Sequence, residues 1–433
     1  MKTAAVIAEY NPFHNGHFYQ LQEIRRQTGA DFIIVVMSGD FVQRGEPAVF
    51  DKYTRARMAL SGGADLILEL PLAYATGSAA DFAAGATALL DSLGVVDLLC
   101  FGSESGDLES LKAAADLLSS ESEAVSGQIR QGLRQGMTYP AARSAAFSAI
   151  VQTTQPDDAV PKITGDDFTH LLAGPNNILA LSYLNALQNR QSTIQPYTIR
   201  RCGQGYHHTT LSDTEYVSAS GLRAGLESLF HSHASLASLA ELLARHIPQA
   251  AMDALLAEDA LRAPVFADDL SVLLNAEIIR LFHAGEDFSR FSDLTTDLAN
   301  RLLRYALSFD SFTDRIRQLK TRSYTYTRVS RALLHLLLGI TSDSIREYKE
   351  QGFVSYVRIL GFRRSAAPLL SALSRQCTLP LIIRIAGAQD SLDAIGASML
   401  RQELHASHLY QSLVFQKGRT MKNEYTKSVL VIS

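Results

Sequence analysis

Ala4-Ala5-Val6-Ile7-Ala8-Glu9-Tyr10-Asn11-Pro12-Phe13-His14-Asn15-Gly16-His17 is the stretch that decides the fold. Its apolar run, Ala4 to Ala8, is short, unbroken and closed by a turn, as in a strand buried on both faces. Pro12 fixes the turn, and a helix is expected from about Gly16 to Gln27. The alternation repeats downstream. Phe32 to Met37, Leu66 to Leu70, Leu98 to Phe101 and Gln195 to Arg201 read as strands. Lys52 to Ser61, stopped by Gly62-Gly63, and Ala79 to Leu93 read as helices between them. Continuous apolar strands alternating with helices predict an α/β fold, its parallel sheet covered on both faces. Ligands of such sheets bind beyond the carboxyl ends of the strands. That places a site after Tyr10, Met37, Leu70 and Phe101.

The character changes after Leu222. Ala224 to about Leu307 is dominated by helix formers with Leu and Ala at helical spacing. Two domains are expected: residues 1–225, nucleotide-binding and catalytic, and residues 226–433, mainly helical with a small α+β end closed by a strand at Ser428 to Ile432. Apolar residues make up 47% of the 433 and charged residues 19%, which excludes a disordered chain. The net charge of -4 is too mild to indicate a partner. Cys100, Cys202 and Cys377 are widely spaced, with no disulfide framework or zinc cage in their pattern. No signal peptide is visible, and runs such as Ala332 to Ile340 are far short of a membrane span. A reducing cytoplasm and no membrane partner are the expectations.

The chemistry concentrates in Asn11 to His17. Gly16 lets a ligand approach the backbone, and the following helix offers unpaired N–H groups and a positive dipole end to an anion. His14 and His17 would face that anion as hydrogen-bond donors or as cations. Phosphoryl and adenylyl transfer needs donors on oxygens where negative charge grows, so an ATP site directed at the α-phosphate is the reading. A zinc pair or a purely structural pair are the alternatives; two histidines three apart without a third ligand are a poor zinc set. Ser218-Ala219-Ser220-Gly221-Leu222-Arg223 opens another helix and could hold phosphate through Ser220 and Arg223, or be an ordinary cap.

His14-Asn15-Gly16-His17 resembles the HxGH motif of the HIGH nucleotidyltransferase superfamily, and Ser218 to Arg223 a relaxed form of its second phosphate motif. Four longer strings narrow the likeness: Glu9 to His17, Met37 to Pro47, Phe101-Gly102-Ser103-Glu104 and Pro175-Asn176-Asn177-Ile178-Leu179. With Tyr324 to Arg328 and Arg358 to Phe362, they resemble the bacterial tRNA(Met) cytidine acetate ligase family over most of the chain. The resemblance implies a Rossmann-like catalytic domain. It implies that ATP activates acetate as acetyl-adenylate and that the acetyl group passes to the N4 amine of the wobble cytidine of elongator tRNA(Met). Catalytic roles fall on His14 and His17. ATP would lie along Ile7, Ala8, Glu9, Tyr10, Asn11, Pro12, Phe13, His14, Asn15, Gly16, His17, Phe18, Tyr19 and Gln20. Further contacts would come from Gly102, Asn176, Arg201 and Ser220, with Asn177 and Arg200 as neighbouring alternatives. Mg2+ is expected with ATP; Asp40 and Asp51 are candidate ligands, and Lys52 or Arg44 candidate phosphate or acceptor contacts.

A tRNA substrate needs a basic surface. Between Arg315 and Ser342 acidic residues are absent, while Arg315, Arg317, Lys320, Arg322, Arg328 and Arg331 occur with Tyr324 and Tyr326 interleaved. From Gln351 to Ala388 acids are again absent, with Arg358, Arg363, Arg364, Arg375 and Arg384 present. Lys320, Arg322, Arg328, Arg331, Arg358 and Arg363 are the expected RNA contacts, and the tyrosines expected stacking platforms. The competing reading is a solvated helix face with the tyrosines in the core. Two other functions share parts of the pattern. An adenylyltransferase for a small phosphorylated metabolite would keep the HxGH site without the basic half. An RNA-binding module with a relic nucleotide site would make the histidines expendable.

Overall fold

The computed structural model describes residues 1–119, 123–135, 137, 142, 145–146, 171–172, 174–201 and 217–433. The expected Cys202 lies outside them. One eight-stranded sheet organises the molecule. Its strands are β1 (Thr3–Ala8), β2 (Phe32–Ser38), β5 (Leu66–Leu70), β6 (Leu98–Ser103), β7 (Gln195–Arg200), β8 (Val357–Arg363), β9 (Leu381–Ile382) and β10 (Leu430–Ile432). A two-residue pair, β3 (Phe41–Val42) and β4 (Glu46–Pro47), forms a separate hairpin. The sheet order is β10-β8-β5-β2-β1-β6-β7, with β9 also on β8.

From β5 to β7 all neighbours are parallel. Each strand reads as an unbroken apolar run because both faces are covered. Ala5, Ile34, Val36, Leu66 and Leu68 enter one core, while Ala4, Val6, Ile33, Val35, Met37 and Ile67 enter the other. The strand order reverses at β1: β2 is added on one side and β6 on the other. That switch point opens a crevice beyond the carboxyl ends, at Ala8, Gly102 and the loops that follow them.

The division expected near residue 225 is crossed by this sheet. β8 pairs antiparallel with β5, and β10 pairs parallel with β8. Residues from the last fifth of the chain therefore complete the sheet begun by β1, and residues 226–433 do not form a body apart from it. Ala224 to Leu307 is mainly helical, as its pattern predicts, and the helices continue beyond it to Ser342–Glu350. Cys100 is buried on β6, and its thiol is pushed up to about 12 by burial. No helix among the described residues is long and apolar enough to cross a membrane.

Candidate active site

β1 delivers the chain to the crevice, and a helix, Asn15–Thr28, leaves it. His14 is the N-cap of that helix. Its Nδ1 accepts from Gly16 N at 3.0 Å, and the Nδ1 of His17 accepts from His14 N at 3.3 Å. This is the reciprocal geometry of a capping box, made here by two imidazoles. The rings stack with centroids 3.8 Å apart. A Cβ on Gly16 would lie 2.9 Å from Cε1 of His14, so any side chain there would press on the His14 ring.

The bonding fixes the tautomers. With both Nδ1 atoms accepting, a neutral ring carries its hydrogen on Nε2. Burial, with Arg201 and Arg223 nearby, pushes His14 down to about 3. Burial, His14 and Arg201 hold His17 well below its usual range. The sequence left open donors or cations; in the free protein both rings are neutral donors. Two Nε2–H groups at a helix N-terminus suit an anion whose charge increases during reaction.

The walls are held by groups that look ordinary in sequence. Arg55, in the helix Lys52–Ser61, is fully buried. Its guanidinium donates to the carbonyls of Phe50 at 2.8 Å, Glu9 at 2.6 Å, Ser38 at 3.1 Å and also Gly39. It thereby ties the loop after β1 to the loop after β2. Asn11 is buried, and its Oδ1 accepts from Val49 N at 2.8 Å. Arg223 donates to the Asn11 carbonyl at 2.7 Å and to Ser220 Oγ at 3.4 Å, joining the second motif to the first. Ser218 caps the helix Ala219–His231 by accepting from Gly221 N. On the far wall Glu104 accepts from Asn176 Nδ2 at 2.6 Å, and Arg201 donates to Asn176 Oδ1 at 3.3 Å. Asn177, the neighbouring alternative, is buried and bonded to the backbone of Glu104 and Ser105.

Of the expected ATP residues, Ile7, Ala8, Glu9, Tyr10, Asn11, His14, His17, Gln20, Gly102, Asn176, Arg201 and Ser220 line one cleft of roughly 1000 Å3. Gly16, Tyr19 and Arg200 line an adjoining recess that shares His14, His17 and Gly102. Pro12 and Phe13 are buried behind the loop and Phe18 is exposed beside it; these three and Asn15 line neither space. Gln43, Phe82, Leu179 and Tyr183 also line the cleft and escaped the sequence reading. Gln43, Leu179 and Tyr183 lie in or just after a string quoted above; Phe82, in the helix Ala79–Leu93, carries no such signal.

The chain matches the HIGH nucleotidyl transferase family over residues 1–426. It is 35% identical to the tRNA(Met) cytidine acetate ligase of Acetivibrio thermocellus, covering 100% of both chains. It is 34% identical to the protein of that name from Lysinibacillus sphaericus, covering 98% of this chain and 97% of that one. The chain belongs to the tRNA(Met) cytidine acetate ligase family of HIGH nucleotidyltransferases. Solved structures agree with that placement. Thermotoga maritima TmcAL without ligand superposes with a TM-score of 0.88 at 27% identity over all of both chains. The same protein bound with alpha-thio ATP gives a TM-score of 0.86 at the same identity.

Several expected contacts are corrected by burial. Lys52 is fully buried and donates to Glu69 at 2.9 Å and Ser407 at 2.8 Å, so it does not reach the cleft. Asp51 caps the helix Lys52–Ser61 and pairs with Arg419. Asp40 accepts from Lys52 N and lies beside the same lysine, and burial pushes its carboxyl up to about 6. Arg358 is buried on β8 between Glu69, at 2.9 Å, and Glu424. It neutralises core carboxylates and presents nothing to RNA. Arg315 is buried as well, donating to carbonyls of Tyr305 and Ser308. Arg331 is half-buried on Asp293 at 2.9 Å, and half-buried Arg363 donates to the Leu60 carbonyl at 3.1 Å. Lys320 and Arg322 are exposed. Arg328 lies over the Tyr324 ring, 5.4 Å from its centroid, and Tyr324 and Tyr326 are both half-buried.

Proposed function

We propose that the chain is an ATP-dependent ligase that activates acetate as acetyl-adenylate and transfers the acetyl group to the N4 amine of the wobble cytidine of elongator tRNA(Met). The observation that carries this is the neutral histidine pair, both Nδ1 atoms engaged by backbone N–H, at a helix N-terminus in a cleft with Arg201 and Arg223. An acetate oxygen attacks the α-phosphorus. The bond to the bridging oxygen breaks, and pyrophosphate leaves with the electron pair. The Nε2–H groups of His14 and His17 stabilise charge growing on the phosphate oxygens. The cytidine N4 then attacks the acetyl carbon, AMP leaves with the C–O electron pair, and N4 loses a proton.

Mg2+ enters as part of the MgATP substrate, held by phosphate oxygens and water. Asp40 and Asp51 do not fit as its ligands because both are committed inside the protein. Exposed Lys320 and Arg322 are the sequence-expected RNA contacts that remain accessible, and half-buried Arg328 packs over Tyr324. The helix that bears Arg328, Tyr326–Leu338, is seated on the cleft wall through Ser330 Oγ, which donates to the Gly45 carbonyl at 2.9 Å.

Labelled acetate, ATP and elongator tRNA(Met) test the reading directly. Label should enter RNA only when ATP is present, with one pyrophosphate released per acetyl transferred. Absence of pyrophosphate release under every combination would reject an adenylating enzyme.

A further inference from the structure

The cleft has two chemically different ends. At one, the charges that act on His14 and His17 come from Arg201 and Arg223. This end suits phosphates, and the adjoining recess beside Gly16, Gly102 and Ile199 leads on from it. At the other end lie Glu9, Gln43, Arg44, Phe82 and Tyr183. Arg44 belongs with Gln43, which it follows in the turn of the β3–β4 hairpin, and it lines the same cleft. Glu9 Oε1 accepts from Gln43 N at 2.9 Å, and the Glu9 charge reaches the Tyr183 phenol. The Tyr183 ring packs against Phe101 with centroids 5.8 Å apart.

This end mixes one carboxylate, one guanidinium and one carboxamide with aromatic walls. Gln43 Nε2 is buried without a hydrogen-bond partner, which is costly unless a ligand supplies an acceptor. A second triphosphate would meet Glu9 and too few donors. A small carboxylate would meet the same repulsion. A cytosine matches every group: its N4 amine donates, its N3 and O2 accept, and its two faces are apolar.

We propose that this end of the cleft is the pocket for the acceptor cytosine, turned out of the anticodon loop, with Glu9 accepting from its N4 amine and Gln43 donating to its N3–O2 edge. The pocket's setting supports entry from the RNA side. Gln43 and Arg44 form the tip of the β3–β4 hairpin, and Gly45, at φ +79, rests against the backbone of Ser330 and Arg331. Any Cβ at Gly45 would collide with that backbone. The helix that follows exposed Lys320 and Arg322 is therefore in contact with the lip of the pocket. Base extrusion of this kind lets an enzyme reach an exocyclic amine that stacking would hide. In the transfer step the N4–acetyl bond forms, the acetyl–AMP bond breaks with its electrons on AMP, and the N4 proton passes to Glu9 and then to water. Uracil presents an acceptor where cytosine presents the amine, so Glu9 repels it.

This inference rests on the acetate ligase reading, and two assays separate them. The first is acetate-dependent ATP–pyrophosphate exchange without RNA. The second is transfer of labelled acetyl to an anticodon stem-loop with cytidine at the wobble position; a uridine version serves as blank. Gln43→Leu should hold exchange within about threefold of the parent while lowering transfer about 10- to 100-fold. Gln43→Glu keeps the shape and replaces a donor by an acceptor, so it should show the same split and guards against a folding artefact in the first variant. Equal losses in both assays would assign Gln43 to ATP, acetate or the fold and overturn the proposal, as would unchanged transfer. A parent protein without acetate-dependent exchange would overturn the ligase reading itself.

Discussion

The candidate cleft and the buried charge cluster around Lys52 put buried polar groups to opposite ends. In the cluster, Lys52, Glu69, Arg358 and Glu424 are all buried and bonded to one another. Burial alone would raise Glu424, but Lys52 and Arg358 pull it down to about 2. Glu403, at the edge of the group, is raised to about 8 by burial and by Glu69. The cluster's charges are largely consumed internally. In the cleft the arrangement is reversed. Backbone N–H groups occupy the acceptor nitrogens of His14 and His17, and their Nε2 donors remain for a ligand. Buried polarity is structural when partners close the circuit and functional when one side is left for substrate.

The sharpest way to break that contrast is Arg358→Leu. It removes the cation between Glu69 and Glu424, and a one-sided loss in a buried pair typically destabilises by about 3–5 kcal/mol. Chemical denaturation should register most of that. A loss below about 1 kcal/mol would show that the cluster relaxes its charges by proton uptake instead.

Next in size is His14→Asn. Asparagine keeps an acceptor for Gly16 N but lacks the Nε2–H. Turnover in acetate-dependent exchange should fall about 10²- to 10³-fold, with the ATP KM within a few-fold of the parent and little change in melting temperature. A rise in KM at unchanged kcat would instead assign the imidazole to ground-state binding.

Glu403 offers a pH test. Its folded-state pKa, about 8, lies above its ordinary value of 4.5. Between those values the folded protein keeps a proton that the unfolded chain releases, so stability falls as pH rises through the window. Glu403→Gln should flatten that decline, read as the difference in melting temperature between the two ends of the window. An unchanged slope would place the proton elsewhere.

The smallest effect belongs to the surface. Arg322→Ala should weaken tRNA binding a few-fold and lower the salt-dependence slope by about 1, with exchange in the absence of RNA unaltered. An unaltered slope would move the RNA path away from Arg322.

The central fold was legible because its signals are local. The strand–turn–helix unit around His14 lies within one short segment, and β1, β2, β5, β6 and β7 occupy the positions read for them, whereas the short β3–β4 pair was not foreseen. β8 was not read as a strand because its arginines looked like surface. The partner that buries Arg358 is Glu69, 289 positions away by number, and no local pattern records such a pairing. Arg55 was missed for a related reason: in sequence it is one basic residue in an ordinary helix, and only the fold brings four carbonyls around it. Motifs singled out His14, His17 and Gly102, and the fold brings the three to one cleft. The Gln43 and Tyr183 wall was not, since an amide and a ring declare a function only when their neighbours are known.

The placement of β8 and β10 also sets an order of events during synthesis. A ribosome exposes β1, β2 and β5 nearly three hundred residues before β8 can pair with β5. For that interval the outer edge of β5 is an open template, the kind of edge that recruits other strands. The nascent chain must keep that edge from strangers until its own late strands arrive, so chaperone demand and yield should be governed by residues far from the cleft whose sheet they finish.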